Sequence, residues 1–185
     1  MFLSRTLVAL CACAVLIAPG AALAQMVEAT PVPLPSPPDF SSMNFMVGTW
    51  SCSTLSARRP AAYTSKATYA LDPSGWWLNA MTATDAMAWF PHATTTYDKI
   101  TYDASTSRWI DLTYGDLGAY GFTTAPGWVG NTMVWHDPTF APNGDIVAQT
   151  DTTMTKVSDT KFTQTSSFTE KGGRNVAVTT TCTKS

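Results

Sequence analysis

Polarity along this chain alternates with a period of two from about residue 49 to the end, and threonine, valine and aromatic residues dominate the alternation. That is the pattern of strands with one covered face, and no stretch of the same region keeps a helical period. Turn chemistry divides it: Asp72-Pro73-Ser74-Gly75, Asp103 to Ser107, Ala125-Pro126-Gly127, Pro142-Asn143-Gly144, Ser158-Asp159 and Lys171-Gly172-Gly173 all favour tight antiparallel connections. The pattern predicts ten strands, at about 49–57, 64–71, 76–86, 94–103, 108–115, 119–124, 129–136, 145–157, 160–170 and 174–184. Without a crossover helix, their pairing is antiparallel. Ahead of them, Asp39 to Val47 predicts one short helix with Asp39 or Ser41 as N-cap and Phe40, Phe45 and Met46 turned to the core. Residues 25–38 carry prolines at 31, 33, 35, 37 and 38 and read as an extended, flexible leader.

On the first strand Trp50, Cys52 and Thr54 share a face; on the last, Val176, Val178, Thr180 and Cys182 share the more apolar one. A disulfide between Cys52 and Cys182 needs these two strands side by side, as they are in a sheet rolled into a closed barrel. An even number of up-and-down strands makes that closing pair antiparallel. The expected fold is therefore an all-β, ten-stranded antiparallel up-and-down barrel with a short N-terminal helix. A two-sheet sandwich is the other architecture this pattern allows, and two buried free thiols are the other state of the cysteines.

Met1 to Ala24 has the form of a secretory signal, with Arg5 in the n-region, Leu7 to Ala18 as the apolar core and Ala22-Leu23-Ala24 as a cleavage site. A lipoprotein anchor on Cys13 is the competing reading. The apolar run is too short to span a bilayer, so the expected product is periplasmic or secreted, has no transmembrane segment, and has lost Cys11 and Cys13 with the signal. Removing 24 of the 185 residues leaves 161, enough for a single domain, 39–185, with its own core. Loss of Arg5 takes the net charge from −2 to −3, and no Lys/Arg cluster offsets it, which argues against nucleic acid as a partner. Two remaining cysteines in an exported chain fit a disulfide rather than a zinc site, and no metal is expected.

Gly48-Thr49-Trp50, following a short helix and opening the first strand, resembles the Gly-x-Trp signature of calycins, the lipocalin and fatty-acid-binding superfamily. The ten-strand count, and Tyr97-Asp98-Lys99 through Arg108-Trp109-Ile110 as a central hairpin, are similar to nitrobindin-type barrels and to an uncharacterised set of secreted lipocalin-like proteins. The resemblance implies a structural role for Trp50 as the plug of the closed end. In two respects this chain departs from it. Nitrobindins hold haem through a histidine late in the barrel, whereas here the only histidines are His92 and His136, so haem is not expected and no other cofactor is. Lipocalins also pack an arginine of the last strand on the signature tryptophan; here the basic residue nearest Cys182 is Lys184, and that detail is not carried over.

Alternating strands place the longer connections, 57–63, 87–93, 115–118, 137–144 and 171–174, at the end away from the helix, where a barrel builds its mouth. Those loops hold Arg58, Arg59, Trp89, Phe90, His92 and Phe140, and His136 ends the strand rising to the same rim. Below them, Ile110, Leu112 and Tyr114 share one parity and Phe162, Gln164, Ser166 and Phe168 another, which predicts a mixed interior. The ligand-binding residues read from this are Trp89, Phe90, His92, Tyr114, His136 and Phe168. The expected function is non-enzymatic binding of a small apolar or amphiphilic molecule by an exported protein. The alternatives are a calycin-like lyase or isomerase using a mouth histidine, and a filled barrel acting as a structural or interaction module. No hydrolase, zinc or phosphate-loop motif is present. His136 and Asp137 are adjacent and so point apart; Asp85, Asp111 and Asp116 could supply paired carboxylates but read as solvated acids near strand ends, so no catalytic residue is assigned.

Overall fold

The turn residues and alternating strands set the architecture of the computed structural model, which describes residues 34–59, 61–140 and 146–185, with backbone alone for 137–140. The expected signal and most of the expected leader lie outside the described residues, as does the turn expected at Pro142-Asn143-Gly144. The compact unit is Ser36–Ser185. Its strands are β1 (Gly48–Ser56), β2 (Tyr63–Leu71), β3 (Leu78–Thr84), β4 (Thr94–Asp103), β5 (Arg108–Gly115), β6 (Tyr120–Ala125), β7 (Trp128–Val129), β8 (Thr132–Phe140), β9 (Ile146–Gln149), β10 (Thr152–Ser158), β11 (Lys161–Glu170) and β12 (Asn175–Lys184).

Ten of these close a barrel. Each of β1 to β6, β8, β10, β11 and β12 pairs antiparallel with the next, and β12 returns to β1. The closing register sets Cys52 directly opposite Cys182, and the two are joined by a disulfide. The two extra strands arise where expected strands break. The segment expected at 145–157 divides at Thr150 and Asp151, because the Thr150 amide and hydroxyl turn to the Ser167 carbonyl. β9 therefore pairs only β11, while β10 pairs β11 and β8. The strand expected at 129–136 is instead a small hairpin, β7, folded onto a strand that runs on to Phe140.

The predicted short helix is a single 3₁₀ segment, Ser41–Met46. The Asp39 carboxylate accepts from the Ser41 amide at 2.8 Å, and Phe40, Met43, Phe45 and Met46 are buried. Six residues suffice to cover one end of the barrel, and the tighter helix suits so short a run. Beneath it Trp50 is fully buried, its indole N–H donating to the Met46 carbonyl at 2.6 Å, with Phe162 packed edge-on at 4.8 Å between ring centres. Phe40 and Tyr102 flank Trp109 at 5.3 Å each, which completes the aromatic floor.

The last strand sets a basic residue against Trp50. Lys184 lies over the Trp50 ring at 5.3 Å and donates from Nζ to the Phe45 carbonyl at 3.0 Å. The contact that the last strand makes on Trp50 is thus a lysine's. Gly48 has φ +124°, and a Cβ there would stand 2.9 Å from the Lys184 Cε, so the first residue of the Gly-x-Trp signature makes room for that lysine.

Candidate functional site

Inward positions follow from register. Trp50, Cys52, Thr54 and Ser56 face inward on β1; Ala67 and Tyr69 on β2; Leu78, Ala80 and Thr82 on β3. On β4 the inward set is Thr96, Asp98 and Ile100, and on β5 it is Trp109, Asp111 and Thr113. The last assignment reverses the expected parity. Leu112 and Tyr114 are 37% and 46% exposed on the outer surface, and Tyr114 stacks on Tyr97 at 5.1 Å between ring centres. The physical reason is Trp109: once its ring is locked into the floor between Phe40 and Tyr102, every second residue after it must also turn in, including Asp111. Tyr114 therefore does not line the interior, and Asp111 is not a solvated strand-end acid.

Two adjoining chambers occupy the barrel. The deep one, about 450 Å³, is lined by Tyr69, Asp98, Asp111, Trp135, Met154 and Gln164 among others. The other, about 410 Å³, sits at the mouth among Arg58, Arg59, Tyr63, Trp89, Phe90 and Phe168. Thr96, Gly115, Ala119 and Ile146 border both.

The mouth is built by a turn and a charge cluster. Met87 and Phe90 exchange backbone hydrogen bonds at 2.8 and 2.9 Å, which presents Trp89 at the tip. Its indole packs edge-on against Tyr63 at 5.7 Å, and the Arg59 guanidinium lies 3.8 Å from its ring centre. Opposite, Glu170 receives Arg58 at 3.0 Å and Arg174 at 2.6 Å; the Arg174 hydrogen bond, more than any other contact, draws its carboxyl below the ordinary range.

Of the residues read from sequence, the structure brings Trp89, Phe90 and Phe168 to the mouth chamber. His92 is exposed, edge-on to Phe90 at 5.5 Å, and lines neither chamber. His136 lines neither chamber as well; its Nδ1 is 2.7 Å from Asp151 Oδ2, a partner that the break between β9 and β10 supplies and that no sequence spacing announced. The side chain of Phe140 is not among those described. Since no described histidine faces the interior, the residues present do not fit a histidine-held haem. Asp85 is exposed, and Asp116 accepts the Thr95 amide at 2.8 Å on the rim.

The deep chamber holds what the sequence reading missed. Asp98 and Asp111 are diagonal neighbours on the inner face of the β4–β5 ladder, where Asp98 is opposite Thr113 and Asp111 opposite Ile100. By accessible surface both are half-buried, and both line the chamber. Asp98 accepts from the Thr113 hydroxyl at 2.7 Å. Burial raises both carboxyls above their ordinary range, Asp111 well above it, and the charge of Asp98 adds to the effect on Asp111. Tyr69 is likewise pushed up, by burial first and then by the two acids.

No protein-family model matches the chain, and no curated protein matches it. Among solved structures it is similar to one described as "Structure of EF1p2_mFAP2b bound to DFHBI", at 11% identity over 78% of this chain and 97% of the other, with a TM-score of 0.40. A likeness at that level carries no argument about function.

Proposed function

We propose that this protein binds a small apolar or amphiphilic molecule inside the barrel, admitted between the long loops of the mouth, and that it does so as an exported binding protein rather than an enzyme. What supports this reading is the pair of adjoining chambers, about 450 and 410 Å³, whose lining mixes aromatic rings with a few polar groups. Sites for small molecules have that size and that composition. Both described histidines lie off the chambers, which favours binding over acid–base chemistry at the mouth. Export rests on the signal-like residues 1–24 and on the disulfide; 25–38 is then a leader and 39–185 the barrel domain. Kinship to the calycins, and within them to nitrobindin-type barrels, belongs to the same proposal. It draws on Gly48-Thr49-Trp50 and on the basic residue over Trp50.

The test is titration with the neutral fluorophore N-phenyl-1-naphthylamine. Wild-type protein should bind it, and the double change Trp89→Ala, Phe90→Ala should weaken binding about tenfold, the loss of roughly 1.4 kcal/mol of contact, while moving the melting temperature little. Absence of binding to the wild type, or unfolding of the double variant, would sink the reading and favour a filled barrel.

A further inference from the structure

The row of inward residues across β2 to β5 reads Tyr69, Ala80, Asp98, Thr113, with Ala80 the smallest. A methyl group between Tyr69 and Asp98 leaves room for the phenol to lean towards the acids, and both acids act electrostatically on it. The polar atoms of this group are under-used. Asp111 makes no hydrogen bond, and its Oδ1 is buried without a partner. The Tyr69 hydroxyl, on a residue only 9% exposed, has no partner among the described residues either. Among the described residues lining the deep chamber there is no lysine, arginine or histidine. Buried polar groups are normally satisfied, so an acidic cluster in which only Asp98 has a partner, the Thr113 hydroxyl, calls for a complementary occupant where it faces a chamber of this size.

We propose that the deep chamber takes an organic ammonium ion, a small amphiphile whose protonated amine sits among Asp98, Asp111 and Tyr69 and whose apolar body lies along Ile100, Trp135 and Met154. The proposal rests on the binding function argued above and names the ligand's charge class. An ammonium carries three donors and no acceptor, one donor for each of the three oxygen-bearing groups. Diagonal neighbours on adjacent strands are about 7 to 8 Å apart at Cα, close enough for both carboxyls to reach one nitrogen. Charge selection belongs to the floor, because at the mouth Arg58 is held by Glu170 and Arg59 lies on Trp89. In the empty chamber burial favours the protonated acids over the ionised ones, whereas a bound cation favours the ionised ones, so binding is linked to proton release and tightens as pH rises. A neutral hydrogen-bond acceptor would do the opposite, using the protonated acids as donors.

Three probes of one chain length separate the cases: n-octylammonium, n-octanol and n-octanoate, each measured by calorimetry on the full chain at pH 5 and at pH 8, in two buffers of different ionisation heat at each pH. We expect n-octylammonium to bind at least about tenfold more tightly than n-octanol, since hydrogen bonds to charged groups exceed neutral ones. We also expect buffer-dependent heat for the ammonium only. The isosteric Asp98→Asn, Asp111→Asn variant should lose the preference and the proton release while retaining n-octanol binding within about twofold, and Asp111→Asn alone should lose part of both. If n-octanol or n-octanoate binds as well as the amine, the cation proposal is overturned while the binding function stands. If none of the three binds and the naphthylamine also fails, the binding function itself is wrong and the proposal goes with it.

Discussion

Lys184, next to last in the chain, lies over the indole of Trp50, its Nζ 5.3 Å from the ring centre, and so joins the last strand to the plug of the first. The same ammonium hydrogen-bonds the Phe45 carbonyl at the end of the 3₁₀ segment. Lys184→Met should keep the packing of the alkyl stem but lose the cation–π contact and the charged hydrogen bond, lowering stability by about 1 to 3 kcal/mol in urea denaturation. Trp50→Ala should cost about 3 to 5 kcal/mol. An unchanged urea midpoint for Lys184→Met would show that the ammonium contacts contribute nothing to the floor.

The disulfide ties residues separated by 130 positions. In the chain-entropy account a loop of that length stabilises the fold by about 4 to 5 kcal/mol before any native-state strain. Unfolded, unreduced protein should therefore show no free thiol from Cys52 or Cys182, and Cys52→Ala, Cys182→Ala should melt well below the wild type. Two titratable thiols in unreduced protein lacking residues 1–24, and with them Cys11 and Cys13, would refute the bond.

The buried acids make stability depend on pH in an unusual direction. Folding raises the Asp98 and Asp111 carboxyls, so below their ordinary range both are neutral in the folded and the unfolded chain and carry no ionisation penalty. As pH rises from about 4 towards the elevated values, the unfolded chain ionises first and the empty barrel loses stability. Asp72, Asp103, Asp159 and Glu170, whose carboxyls are lowered, act the other way and only below about pH 4. Asp98→Asn, Asp111→Asn should flatten the decline above pH 4 and raise the melting temperature at pH 7. Urea midpoints measured from pH 4 to 8 decide it, and an unchanged slope in the variant would count against deep burial of the pair.

Outward placement of Tyr114 separates it from ligand. Tyr114→Ala should leave N-phenyl-1-naphthylamine affinity within about twofold and cost about 0.2 to 1 kcal/mol through loss of the Tyr97 stack. A large drop in affinity at constant stability would restore Tyr114 to the interior.

The closure of the barrel was legible because parity and the two cysteines constrain one another: Cys52 and Cys182 face inward only if β1 and β12 pair in the register they adopt. The mouth aromatics were legible from loop lengths. The deep chamber was not, because β4 and β5 are inside out. Their inner faces carry Thr96, Asp98, Asp111 and Thr113, while Tyr97, Leu112 and Tyr114 face outward. Parity reasoning sends the more apolar side of a strand inward, and here the locked Trp109 outweighs the sum of its neighbours. The pairing of His136 with Asp151 was hidden for another reason, since it depends on a strand break whose cause, the Thr150–Ser167 contact, is a long-range hydrogen bond.

Pairing is not shared evenly around the ring. β8 meets β10 only over Thr132–Trp135, and it meets β6 only at His136, Thr139 and Phe140, whereas β11 and β12 run together from Lys161–Thr183 to Thr169–Asn175. β8 thus has the two shortest seams of the ring, supplemented only by the two pairs it makes with β7 at Thr132 and Met133, and the disulfide that fastens β1 to β12 does not touch it. Local opening takes the lowest free energy where the fewest ladder bonds must break. The amides of Thr132–Trp135 should accordingly exchange with deuterium ahead of those in β11 and β12, although Met133 and Trp135 are buried.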